Sequence, residues 1–208
     1  MSEPIIKNGV RVLTPGDYEL LLSVISKDSL KKLVWVLLLT GMRYQEVLRL
    51  KDEPGMFDPE RKTIKVKSGK KEASERERYV HLTPSGVEAV KSFMDDTRAT
   101  YPGAASMTHN LISWAVMAGL NPSRELTGRV YTAGKNEGRD RKNIWGLSVK
   151  SFRKAWESWL TVTYQDRIDL ITLSQGHLTS TSLKHYLGIS FSDQEKDQIR
   201  SYTAGWME

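Results

Sequence analysis

No cysteine occurs at any of the 208 positions of the chain. Disulfides, thiolate metal sites and cysteine nucleophiles are therefore excluded. Histidine is sparse at four residues, and nothing has the Cys/His spacing of a zinc site. There is no Walker string to cradle a nucleotide and no cluster of carboxylates suited to two metal ions. The strongest apolar run, Val34 to Leu39, is far too short to span a bilayer. The opening Met1-Ser2-Glu3-Pro4 lacks the pattern of a signal peptide. A soluble, cytoplasmic protein that needs no metal or cofactor is the expectation.

What the chain has is positive charge. Lysine and arginine number 31 against 25 acidic residues, a formal net charge of +6. A polyanionic partner fits this balance, although an acidic membrane surface or an ordinary solvated surface gives the same sign. The length suits one well-sized domain, or a large one with a small appendage.

Local patterns give a mostly helical chain with a small β element. Thr14-Pro15-Gly16-Asp17 reads as a helix start, with Thr14 as N-cap and Pro15 in the first turn. Leu20, Leu21, Val24 and Ile25 supply its apolar face. A second helix is expected from Asp28 or Ser29 to Thr40, stopped by Gly41. Its apolar residues run nearly all round, so it should lie at the centre. A third begins near Arg43. The period then changes to two in Thr63-Ile64-Lys65-Val66-Lys67 and Arg78-Tyr79-Val80-His81-Leu82, which predicts a β-hairpin with a basic tip. Helices are expected again from Thr83-Pro84, over Met107 to Ala118, and over 148–163, 166–173, 179–187 and 193–202. The stretch from Asn121 to Gly146 shows no clean period and reads as irregular.

Four groups of residues could carry chemistry. Arg43 follows Gly41 at a sharp turn between two helices, where its planar fork could meet two phosphate oxygens; the plainer role is a pair with Glu46. Lys150 and Arg153 are three apart on one helix, so both cations can face one phosphate; with Lys154 they could equally form a solvated basic face. Gly176-His177 precedes a predicted helix, and Tyr186 lies nine residues after His177. The turn Lys67-Ser68-Gly69-Lys70-Lys71 offers further cations, although a lysine-rich turn is usually only solvated surface.

Taken in order, these strings resemble the boxes of the tyrosine recombinases, the phage-integrase family. Leu39-Thr40-Gly41-Met42-Arg43-Tyr44-Gln45-Glu46-Val47 is similar to the first arginine box, Lys150-Ser151-Phe152-Arg153 to the second, and Gly176-His177 with Tyr186 to the third box and nucleophile. The resemblance covers Gly41 to Tyr186 and implies the catalytic-domain fold of that family. It implies that Arg43 and Arg153 bind the scissile phosphate, that His177 hydrogen-bonds a phosphate oxygen, and that Glu46 supports the fold around Arg43. Tyr186 would attack phosphorus to give a 3′-phosphotyrosine; Tyr164 and Tyr202 are rival hydroxyls without the box spacing. A hairpin lysine, Lys70 with Lys71 as second choice, would protonate the leaving 5′-oxygen. The segment Glu72 to Glu77 makes this turn longer than the family's. Lys150 stands where the family usually has histidine, a departure shared with archaeal virus integrases; it supplies charge rather than a neutral base at pH 7.

The physics accounts for the set. Attack on a phosphodiester builds charge on the nonbridging oxygens, which cations must stabilise. The tyrosine hydroxyl, with an ordinary pKa near 10, needs positive charge nearby to favour phenolate. The resemblance implies site-specific cleavage and rejoining of double-stranded DNA without ATP, by a homotetramer assembled on an attachment site. Two other readings remain, a type IB topoisomerase-like enzyme and a DNA-binding module without catalysis. The whole chain, 1–208, reads as one catalytic domain with no separate N-terminal DNA-clamping domain, as in a fragment of a larger integrase. The tail 189–208 is long enough to pass to a neighbouring subunit, or to pack as a helix on its own domain.

Overall fold

A computed structural model describes residues 4–7, 9–67, 77–120, 124–130, 137, 140–144, 146–176 and 189–207, with the backbone alone given for 124–130 and 140–144. The chain opens with a short antiparallel pair, β1 (Ile6–Lys7) and β2 (Val10–Arg11). The Arg11 N–H donates to the Gly146 carbonyl at 2.7 Å, which ties this hairpin to the approach to a distant helix. Helix α1 (Pro15–Val24) starts as the sequence predicts: Thr14 Oγ1 accepts from the Asp17 N–H at 3.1 Å. Asp17 also pairs with Arg11 at 2.9 Å, locking the cap to the hairpin.

Helix α2 (Asp28–Thr40) is the central helix. Leu33, Val34, Val36, Leu37, Leu38 and Leu39 are all fully buried, as a near-continuous apolar run requires, while Trp35 in the same run is half-buried. It packs on α4 (Pro84–Asp95) and on α6 (Val149–Thr163). Helix α3 (Tyr44–Asp52) follows directly on α2, with Arg43 as its N-cap.

The predicted hairpin is present as β4 (Thr63–Val66) and β5 (Arg78–His81), paired Ile64 to Val80 and Val66 to Arg78. A third short strand, β3 (Phe57–Asp58), adds to the edge of β4. Two residues are too few to show a period, which is why sequence alone missed it. Inward positions alternate as expected, with Ile64, Val66 and Val80 buried.

Helix α5 (Ala104–Met117) begins three residues before the predicted start, after Gly103 as N-cap. The segment read as irregular holds two antiparallel strands, β6 (Arg124–Val130) and β7 (Asp140–Ile144). Their register shifts between Leu126 and Val130. A bulge of that kind breaks the two-residue alternation on which strand recognition depends. Beyond it, α6 starts on a Ser148 cap, a 3-10 turn covers Gln165–Arg167, and α7 spans Ile168–Gln175. The helix expected over 179–187 lies outside the described residues.

Helix α8 (Asp193–Thr203) packs on α6 and α1 of the same chain. Tyr202 meets Trp159 and Tyr18 as ring contacts, and Trp206 is fully buried against Tyr164 and His81. The Trp206 Nε1–H donates to the His81 carbonyl at 3.0 Å, so the end of the chain is fastened to β5. No helix among the described residues is long and apolar enough to cross a membrane.

Candidate active site

The end of α2 is built to turn sharply. Thr40 Oγ1 donates to the Val36 carbonyl at 2.7 Å and accepts from the Met42 N–H at 3.1 Å. Gly41 then takes a left-handed conformation, φ 59°. A Cβ at this position would stand 2.6 Å from Trp156 Cδ1 and 2.8 Å from Gln175 Oε1. Glycine is required here twice over, by φ and by the close approach of α6 and α7.

The turn delivers Arg43 to the start of α3. Glu46, three residues on, accepts the Arg43 backbone N–H at 2.8 Å and a guanidinium N–H at 2.9 Å. The pairing of Arg43 with Glu46 suggested by the sequence is therefore formed. It does not consume the arginine: the Arg43 side chain is 58% exposed, and among the described residues its guanidinium, with five N–H donors, makes one hydrogen bond.

Glu46 has a second and stronger partner that sequence reasoning passed over. Arg78, on β5, donates from Nη1 and Nη2 to the two carboxylate oxygens at 3.0 and 2.7 Å. Its Nε–H donates to the Ser174 carbonyl near the end of α7 at 3.1 Å. Burial opposes ionisation of Glu46, but the paired Arg78 and the bonds from Arg43 prevail and hold its pKa down at about 2. A signal for Arg78 was available. It shares the inward register of Val80 and Leu82, and an arginine at an inward strand position needs a buried partner.

Arg153 completes the arrangement. It is buried on α6 and donates to the Gly41 carbonyl at 3.1 Å and to the Gln175 carbonyl. Those carbonyls sit at the C-terminal ends of α2 and α7, where helix dipoles favour a cation. Burial, with the nearby Arg78 and Arg43 guanidiniums, lowers the Arg153 pKa to about 10, while Glu157 and Glu46 oppose the shift. Arg153 is therefore still charged at neutral pH. Gln175 adds a side-chain bond from Nε2 to the Thr40 carbonyl at 3.4 Å.

Gly176 ends α7 with φ 68°, and a Cβ there would lie 2.7 Å from Arg78 Cδ. The glycine of the Gly-His pair is thus set by contact with Arg78 as well as by its left-handed backbone. His177 follows immediately, but His177, Tyr186, Lys70 and Lys71 lie outside the described residues. Lys150 is exposed in the first turn of α6, and its charge acts on Lys154, whose Nζ donates to the Lys7 carbonyl.

The two rival tyrosines are engaged elsewhere. The Tyr164 hydroxyl donates to the Thr203 carbonyl at 2.8 Å, and the Tyr202 hydroxyl to Glu19 at 3.1 Å. Burial, then the Glu19 carboxylate, raises the Tyr202 pKa to about 12, far from a ready nucleophile. Tyr79 is exposed, but it points to the strand face opposite that of Arg78.

Comparison with solved structures decides the fold. The crystal structure of XerA recombinase superposes on 97% of this chain with a TM-score of 0.61, at 17% sequence identity. The Tn1549 transposon integrase in complex with circular intermediate DNA matches 96% of the chain, with a TM-score of 0.59 and 15% identity. The chain has the catalytic-domain fold of the tyrosine recombinases. XerH site-specific recombinase, bound to its palindromic difH substrate, gives a TM-score of 0.55 over 95% of the chain at 18% identity. The chain spans 67% of the XerA structure, 68% of the Tn1549 integrase and 53% of XerH. No protein-family model matches the sequence, and no curated protein matches it either. In this recombinase fold, Arg43, Arg78, Arg153 and Gly176 come from four elements and meet where α2, α6 and α7 converge on β5.

Proposed function

We propose that this chain cleaves and rejoins DNA strands through a covalent 3′-phosphotyrosine at Tyr186, as a site-specific recombinase. The observation that carries this reading is the charge of the convergence point. The guanidiniums of Arg78 and Arg43 both act on that of Arg153 there, and among the described residues the Glu46 and Glu157 carboxylates oppose them. Collecting like charges in a partly buried space is unfavourable unless an anion occupies it. A phosphodiester in a site lined by Arg43 and its neighbours meets that need.

The reaction balances without an external energy source. The Tyr186 hydroxyl gives up its proton to water, its oxygen forms a bond to phosphorus, and the bond from phosphorus to the 5′-oxygen breaks. Lys70 or Lys71 supplies the proton that the 5′-oxygen takes up. Arg43, Arg153 and His177 stabilise the charge that grows on the nonbridging oxygens, and Lys150 adds to the field. The phosphotyrosine keeps the energy of the broken linkage, so a 5′-hydroxyl can reverse the step on the same or another strand.

Double-stranded DNA bearing a specific attachment site is the proposed substrate, and a homotetramer the proposed working assembly. In the single chain, residues 189–207 lie on their own domain through Tyr202 and Trp206. A tail passed to a neighbour would have to bury Trp206 there instead.

The test uses a pool of nicked duplexes of randomised sequence, in which cleavage releases a short strand and traps the adduct. A denaturant-stable protein–DNA adduct with the wild-type chain, absent for Tyr186→Phe, is expected. An adduct that survives Tyr186→Phe would remove Tyr186 from its role, and no adduct from the wild-type chain would overturn the strand-transfer reading. Relaxation of any supercoiled plasmid, with no exchanged products, would redirect it to a topoisomerase.

A further inference from the structure

We infer that Arg78 is a positioning residue for strand cleavage: it occupies both Glu46 oxygens so that Arg43 stays available to phosphate, and it fixes the Gly176 turn that leads to His177. This rests on the recombinase reading above, and it assigns a role to a residue outside the sequence boxes.

One guanidinium here makes three directed bonds. Two go to Glu46 at 3.0 and 2.7 Å, and one goes to the Ser174 carbonyl at 3.1 Å. Its stem also lies against Gly176, leaving no room for a Cβ. The adjoining strand adds a further tie, since the His81 N–H donates to Ser174 Oγ at 3.2 Å. The end of α7 is therefore held to β5 by bonds on both sides of the strand register. The Arg78 side chain is 12% exposed and that of Glu46 only 6%, so these bonds are shielded from competing water.

The consequence for Arg43 is electrostatic. A buried carboxylate with no other partner would draw the Arg43 guanidinium into a two-pronged pair, which is its preferred geometry. With Arg78 bonded to both oxygens, Arg43 has one side-chain bond to Glu46, and its side chain remains more than half exposed. Arg78 thus acts on the scissile phosphate through two other groups and does not need to touch it.

Opposite behaviour in a single and a double variant tests this. With a nicked duplex that traps the wild-type adduct, Arg78→Met is expected to slow adduct formation on the order of 100-fold at saturating DNA. Arg78→Met combined with Glu46→Gln should be faster than Arg78→Met alone, because the neutral amide no longer captures Arg43. A purely structural role predicts the reverse order, with the double variant as slow or slower. Arg78→Lys keeps the charge but cannot make all three bonds, and it guards against a methionine variant that fails to fold. It should fold, with a melting temperature between those of wild type and Arg78→Met, and cleave roughly tenfold more slowly than wild type. A double variant no faster than Arg78→Met, or Arg78→Lys at the wild-type rate, overturns this inference alone. A wild-type chain that forms no adduct overturns the recombinase reading and this inference with it.

Discussion

Arg78 and Glu46, 32 residues apart in sequence, meet as a two-pronged ion pair beneath the exposed guanidinium of Arg43. The pair joins β5 to the first turn of α3. It makes one carboxylate responsible for the orientation of two arginines.

Stability should depend on Glu46 in acid. Its pKa is lowered to about 2 from an ordinary value of 4.5, so its contribution is fully present above the ordinary value. That contribution, about 3 kcal/mol, is lost as pH falls from the ordinary value through the lowered one. Urea unfolding of wild type from pH 5 to pH 2 should show the loss, and Glu46→Gln should show a flatter profile. Equal slopes in the two proteins would contradict the assignment.

Glu46→Ala at neutral pH removes one member of a buried pair and leaves Arg78 uncompensated. Destabilisation of about 3–5 kcal/mol is expected from equilibrium unfolding. A change within 1 kcal/mol, roughly that of a surface pair, would mean that the site is more open to water than its burial indicates.

Gly41→Ala should be damaging despite its small size. The left-handed backbone disfavours any Cβ by about 1–2 kcal/mol, and contact with Trp156 adds to this. The melting temperature should fall, and adduct formation should fall further than the melting change explains, because Gly41 links Arg43 to the Arg153 donor. A normal adduct rate in a folded Gly41→Ala variant would separate the turn from the chemistry.

The two structural tyrosines should be dispensable for adduct formation. Tyr202→Phe removes a partly exposed bond to Glu19 and should alter stability by less than about 1 kcal/mol. Tyr164→Phe removes the bond to the Thr203 carbonyl, with a loss of about 1 kcal/mol. Both should still form adducts, whereas Trp206→Ala should lose about 3–5 kcal/mol of stability through its buried ring. These are read from adduct gels and thermal melts on the same preparations.

DNA binding should weaken steeply with salt, since phosphate contacts release counterions. Lys150→Ala should lower the slope of log affinity against log salt by about one, uniformly across DNA sequences. A slope unchanged by Lys150→Ala would place that lysine away from the DNA backbone.

Where the sequence served well, the signal was local. The Thr14 cap, the apolar run of α2 and the alternation of β4 and β5 each depend on neighbours within a few residues, so each was readable before any tertiary contact was known. Where it failed, the elements were too short or too irregular to show a period. The two-residue strands β1, β2 and β3 and the shifted register of β6 on β7 are of this kind. The early start of α5 at Ala104 likewise escaped notice, because Gly103 offers no side-chain cap to mark it.

By itself the sequence determined that Arg43 follows a glycine turn, that Glu46 sits one helical turn beyond it, and that Arg153 lies on a helix of its own. Those are facts of spacing, set by 3.6 residues per turn and by the few residues that tolerate a left-handed backbone. Only the tertiary structure decided that Arg153 would be buried between the carbonyl ends of α2 and α7, or that Arg78 on β5 would claim Glu46 on α3. Such partners are chosen by packing, because a buried charge must find its counter-charge or hydrogen bond wherever the fold brings one within reach.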